Sequence, residues 1–212
     1  MSDQVKQDSL SEIISLLTDD PPDYYKICDL MYHYDKNLTD YRNWWHFGTI
    51  IINTKNVTEK KKYLGSTAMA VSATSQNWYA GGFGVYIDED VEYFGSLKLV
   101  IHSSKTDGGR LRIELYDDDN NNQVVDINKQ TKQPDKDDVF IYDIALNWKG
   151  WKVITIPIKN FSDNNPESGD NIWNPSQLFG SAGLIQMQFI VMSGKNKSEI
   201  ITFDIDTIKF NL

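Results

Sequence analysis

The sequence predicts an all-β protein: a two-sheet antiparallel β-sandwich with a short N-terminal helix. Three observations lead there. Runs of alternating apolar and polar residues recur along the second half of the chain. Turn-rich stretches separate them, such as "KTDGG", "DDDNNN", "KQPDKDD" and "SDNNPESGDN". After Pro22 no long helical period appears, and regular short strands between turn signals argue for a sandwich.

The elements follow in order. Ser9 to Leu17 reads as a helix, because Ser9 and Glu12 fit a capping box and Leu10, Ile13, Ile14 and Leu17 share one face. Asp19-Asp20-Pro21-Pro22 stops it, since proline lacks an amide donor and restricts the residue before it. This divides the chain into a helical extension, 1–26, and a β module, 27–212. The helix either packs on its own module or docks on a protein partner or a second copy. Val85 to Ile87 precedes the acidic turn "DEDVEYFG". In "SLKLVIH", Leu97, Leu99 and Ile101 fall on one face; in "RLRIELY", Leu111, Ile113 and Leu115 fall inward and Arg110, Arg112, Glu114 and Tyr116 outward. "VFIYDIAL", "WKVITIPI", "LIQMQFIVM" and "IITFDIDTIKF" complete the strands.

Composition narrows the function. The chain has 212 residues, 40% hydrophobic and 24% charged, enough to bury a real core. A net charge of -9 argues against nucleic acid, which needs a basic footprint, and against anionic membranes. No apolar run approaches the ~18 residues of a membrane span. The N-terminus lacks a basic segment followed by an apolar one, so the chain as given reads as cytoplasmic, or as secreted if it is a processed form. Cys28, the single cysteine, excludes an internal disulfide and reads as a small buried hydrophobe. There is no G-x-S-x-G elbow, no phosphate-binding loop and no H-E-x-x-H pair.

"GWKVITIPIKNF" (Gly150 to Phe161) and "FDIDTIKF" (Phe203 to Phe210) resemble the signature strands of a β-jelly-roll group. "YDKNLTDYRNWWHFG" resembles the group's opening strand and loop, and "WYAGGFGVYI" the strand after it. The group contains carbohydrate-binding modules of the family-eleven type and the complex I intermediate-associated proteins, and the likeness runs from about Asp29 to the end. It implies a galactose-binding-like jelly roll whose concave sheet holds a glycan, with β-glucan among the candidates, and no catalysis. It also implies a structural calcium ion tying Asp35 on the opening strand to Asp206 on the last, and a core role for Trp151.

A glycan site needs flat rings to stack on a pyranose and planar polar groups to read its hydroxyls. Six Trp and eleven Tyr supply rings in plenty. In "WYAGGFGVYI", alternation puts Phe83, Val85 and Ile87 on the core side and Trp78, Ala80, Gly82, Gly84 and Tyr86 on the other. The glycines would leave that face bare beside Tyr86. Arg112, Glu114 and Tyr116 offer donor, acceptor and ring, and Gln186 and Gln188 each offer both donor and acceptor. Taken singly these are ordinary sheet surface; taken together they form a site if their strands share a sheet. Trp45 shares parity with Phe47, so both are expected inward and Trp44 exposed. Asp117 to Asn122 and Asp163 to Asp170 are Asx-rich loops, read either as hairpin turns or as oxygen-donor calcium loops. The leading reading is a non-catalytic carbohydrate-binding module, and the second an interaction or assembly subunit built on the same sandwich.

Overall fold

The computed structural model describes residues 44–57, 67–194 and 198–211. The expected Ser9–Leu17 helix, the 1–26 extension, Cys28 and Asp35 lie outside the described residues. Within them the regular secondary structure is β-strand, apart from the 3-10 turns Ile158–Asn160 and Leu178–Gly180. No helix among the described residues is long and apolar enough to cross a membrane.

In chain order the strands are β1 (Trp44–Gly48), β2 (Ile51–Asn56), β3 (Thr67–Ser75), β4 (Tyr79–Glu89), β5 (Ser96–Ser103) and β6 (Arg110–Asp117). Then come β7 (Asp138–Ala145), β8 (Gly150–Pro157), β9 (Ser162–Asp163), β10 (Leu184–Met192) and β11 (Glu199–Asn211). They form a six-stranded sheet, β1-β4-β10-β6-β7-β9, and a five-stranded sheet, β2-β3-β11-β5-β8. Each neighbouring pair runs antiparallel.

Alternation puts the apolar residues between the sheets. Leu97, Leu99 and Ile101 of β5 and Leu111, Ile113 and Leu115 of β6 are fully buried. On β4, Phe83 and Val85 are buried, and Ile87 packs on the same core half-covered. Phe83 stacks on Phe189 of β10 at 5.0 Å and meets Phe203 of β11, in the other sheet, at 6.4 Å. Each such side chain contributes about 1.5–3 kcal/mol by leaving water.

Two side chains depart from the expected packing. Ala80 is buried in the core rather than outward, because the register of β4 against β10 shifts between Val191 and Met192 and reverses the parity there. Trp151 is not among the core residues. Its partner on β5 is His102, and the two rings lie 5.2 Å apart on the outer face of the five-stranded sheet. Trp148 packs on the core instead, with its indole N–H donating to Gly150 O at 2.9 Å and Lys152 Nζ 5.0 Å from its ring.

Phe83 links the inner faces of both sheets. Phe83→Ala should cost about 3–5 kcal/mol of stability, read from the midpoint of urea denaturation.

Candidate functional site

The outer face of the six-stranded sheet is built in rows, because residues opposite one another in an antiparallel ladder share a face. In one row Tyr86 of β4 lies opposite Gln186 of β10, which lies opposite Tyr116 of β6. The next holds Trp45, Gly84, Gln188, Glu114 and Ile141. The third holds Phe47, Gly82, Ile190, Arg112 and Asp143. The structure therefore brings Tyr86, Arg112, Glu114, Tyr116, Gln186 and Gln188 onto one face of one sheet.

The glycines do not leave this face bare. A Cβ on Gly84 would lie 2.5 Å from Trp45 Cζ2, and one on Gly82 would lie 2.7 Å from Phe47 Cζ. The rings of Trp45 and Phe47 fill that space, stacked on each other at 6.0 Å with 22° between their planes. Trp44 and Trp45 thus exchange their expected roles. Trp44 pairs with inward Val85 and packs on Phe83 at 6.0 Å, while Trp45 turns outward over Gly84. The partner strand sets the parity of β1, and large rings face out because the residues opposite have no side chains.

The aromatic surface continues past Phe47. Tyr79 lies 6.4 Å from Phe47, and Trp78 lies 5.3 Å from Tyr79. Trp78 is 55% exposed, at the sheet end where its carbonyl accepts from Ser193 N–H at 2.8 Å. At the other end of β4, Tyr86 is 58% exposed. Trp45 and Phe47, expected inward from their shared parity, lie on this outer face instead, and Tyr79 joins them there. Their signal is pairing across strands: W-x-F set against G-x-G.

Polar groups occupy the middle. Glu114 Oε2 accepts from Tyr116 Oη at 2.8 Å and from Gln188 Nε2 at 2.7 Å. Burial pushes the Glu114 carboxyl above its usual range, against the opposing pull of Tyr116, Arg112 and Gln188. Arg112 pairs not with Glu114 but with Asp143, through Nε at 2.8 Å and Nη2 at 3.2 Å. The Arg112 guanidinium holds the Asp143 carboxyl below the usual range. Asp143 sits in the same row as Arg112, and that pairing is the signal which could have found it. Tyr116, expected as a surface ring, is buried with Val139, Ala182 and Ile185, with Val125 of the β6–β7 loop packed on them.

Of the residues linked to calcium by resemblance, Asp206 is buried on β11, where the register against β5 shifts between Ile205 and Thr207. Asp35 lies outside the described residues.

Adding a methyl at Gly84 must displace the Trp45 ring. Gly84→Ala should cost about 1–3 kcal/mol, and less in a Trp45→Ala background, where the clash with Met187 O at 2.7 Å is what remains, as a double-mutant cycle by urea denaturation would show. Glu114 gives a pH signature. Its folded-state pKa is raised, so the folded chain holds this proton more tightly than the unfolded chain. That contribution is full below the unfolded value and is lost as pH rises through the folded one. The stability of Glu114→Gln relative to the parent should therefore increase from about pH 4 to about pH 7.5, measured by urea denaturation at both.

No family model and no curated protein matches the chain. Solved structures similar to it include a family 11 carbohydrate-binding module from Clostridium thermocellum in complex with a β-1,3-1,4-mixed-linked tetrasaccharide. Identity is 21% over 80% of this chain and 89% of that one, with a TM-score of 0.49. The family 11 module of the C. thermocellum cellulosomal cellulase Lic26A-Cel5E matches at 20% identity, over 80% of this chain and 87% of that one, with a TM-score of 0.46. An arabinose-bound α-L-arabinofuranosidase, MgGH51, matches at 8% identity over 84% of this chain but 25% of that one, with a TM-score of 0.49.

Proposed function

We propose that the chain is a non-catalytic module that binds a linear glycan along the outer face of the six-stranded sheet. The observation that carries this is the order of groups along that face. Exposed rings stand at both ends of β4, Tyr86 at one and Tyr79 with Trp78 at the other. Between them lie the Trp45–Phe47 stack and the polar centre of Glu114, Gln188, Arg112 and Asp143.

Rings offer flat apolar surface to the C–H face of a sugar, and the polar centre offers donors and acceptors to its hydroxyls. From Tyr79 to Tyr86 the strand runs roughly 20 Å at ~3.3 Å per residue, which fits an oligosaccharide better than a single sugar. Pre-organisation supports the same reading. Tyr116 and Gln188 fix Glu114, and Asp143 fixes Arg112, so little side-chain freedom is lost when a ligand arrives. The two carboxylates of this face are thereby engaged in holding their neighbours, which suits recognition rather than cleavage.

The test is isothermal titration with soluble mixed-linked β-glucan and with a panel of other oligosaccharides. Tyr86→Ala should weaken binding by on the order of 1–2 kcal/mol while leaving the melting temperature unchanged. Failure of every glycan to bind, or full affinity in a Tyr86→Ala/Tyr79→Ala double variant, would overturn the proposal.

A further inference from the structure

At the end of β6 and the start of β7, acidic residues gather from three separate segments. Asp119 follows β6, Asp138 opens β7 and Asp170 lies in the loop after β9. One carboxylate oxygen from each lies within 4.8 Å of the others. The two Asx-rich loops, which the sequence offers as separate candidates, converge here.

Proximity of acids is not in itself a site. The second observation is an unmet acceptor. Asp138 is 0% exposed, and its Oδ1 has no hydrogen-bond partner; the buried Oδ1 of Asp119 has none either. The other oxygens are held. Asp119 Oδ2 accepts from Asp138 N–H at 2.7 Å, and Asp138 Oδ2 from Ile172 N–H at 3.1 Å. Asp170 accepts from Ile172 N–H at 2.8 Å and from Asn174 Nδ2 at 3.1 Å. Backbone amides thus fix the carboxylates and leave one oxygen each of Asp119 and Asp138 unspent. A buried acceptor in that state costs free energy unless something neutralises it.

Two more features fit. Gly169 has a φ of 63°, and a Cβ there would collide with Asp138 Oδ1 and Asp119 Oδ2, so the cluster is kept open by a missing side chain. The charged groups acting on Asp119 and Asp138 are carboxylates: Asp137, Asp163, Asp170 and each other. Burial and this repulsion push Asp119 up to about 7 and Asp138 up to about 6.

We propose that Asp119, Asp138 and Asp170 bind a hard divalent cation, calcium by their chemistry. The donors are all oxygen, without histidine or thiolate, which selects calcium or magnesium over zinc. Calcium accepts about 6–8 oxygens in flexible geometry, so backbone carbonyls and water can complete the shell. Asp170 is exposed and gives the ion a route in. The site differs from the Asp35–Asp206 pair that the family likeness implies.

The experiment is calorimetric titration of the full chain with calcium chloride after EDTA treatment, with thermal melts in calcium and in EDTA. Calcium should bind and, when saturating, raise the melting temperature by about 5–10 °C. Asp138→Asn should weaken calcium binding by about tenfold or more, yet melt in EDTA no lower than the parent, because it removes repulsion and keeps the shape. A merely structural aspartate would not behave so. Asp170→Asn, on an exposed side chain, should lose the response as well and stands in if Asp138→Asn does not fold. Asp206→Asn should keep it. The proposal fails if calcium gives neither heat nor a melting shift, or if Asp138→Asn and Asp170→Asn respond like the parent. It also fails if Asp206→Asn alone removes the response, which would move the ion to the last strand.

Discussion

The register of β4, β10 and β6 is the constraint on which the rest of the molecule depends. The rows Val85–Met187–Leu115 and Phe83–Phe189–Ile113 face the other sheet and are buried. The row Gly84–Gln188–Glu114 lies between them and must face out. A slip of one residue would carry Glu114 and Gln188 into the core and Phe83 to the surface, so burial of the phenylalanines enforces the polar row. β1 depends on the same register. Its Trp45 and Phe47 have room only where Gly84 and Gly82 stand opposite.

How much of this is legible in the sequence depends on how strongly each strand alternates. β5, β6 and β10 declare both their existence and their faces, which is why Arg112, Glu114, Gln186 and Gln188 are assigned outward from sequence alone. β3 is harder to see. Its buried positions include Met69, Val71, Ala73 and Ser75, small or weakly apolar residues that do not stand out from their neighbours. Its interior place in the five-stranded sheet comes from pairing with β2 and β11. Ala80 fails because a register shift changes parity without leaving a mark in composition. Trp45, Phe47 and Trp151 fail for a common reason, and Trp44 turns inward as the neighbour of Trp45. The rule that large apolar residues turn inward does not hold on a sheet whose outer face offers a glycine floor or an imidazole to pack against.

Two groups of buried polar atoms lie at different places on the six-stranded sheet, and their contrast separates the two functional readings. Around Glu114, donors and acceptors are matched: Tyr116 and Gln188 donate to it, and Arg112 is answered by Asp143. A satisfied network of this kind is rigid, and a rigid polar centre among rings presents a fixed pattern to a ligand. Around Asp138 the balance is broken. Backbone amides spend themselves on one oxygen of each carboxylate, and the remaining oxygens face other carboxylates. The first arrangement needs nothing further to hold its shape, whereas the second would gain stability from the proposed cation.

The two regions are joined by the segment between β6 and β7. Asp118 ties it down, with its carboxylate accepting from the backbone N–H groups of Asn122, Gln123 and Ala182. Farther along, Val125 packs on the buried cluster that contains Tyr116, whose hydroxyl donates to Glu114. Asp119, one of the proposed cation ligands, belongs to the same segment. An ion that fixed Asp119 against Asp138 and Asp170 would hold the segment whose Val125 packs on the Tyr116 cluster, and through Tyr116 the orientation of Glu114. The coupling runs one way in strength. Tyr116 and Glu114 are also held by the β6–β10 ladder and by Gln188, so the polar row keeps its register without the ion. What the ion would add is order in the cover, and hence in how firmly one end of the ring-lined face is closed.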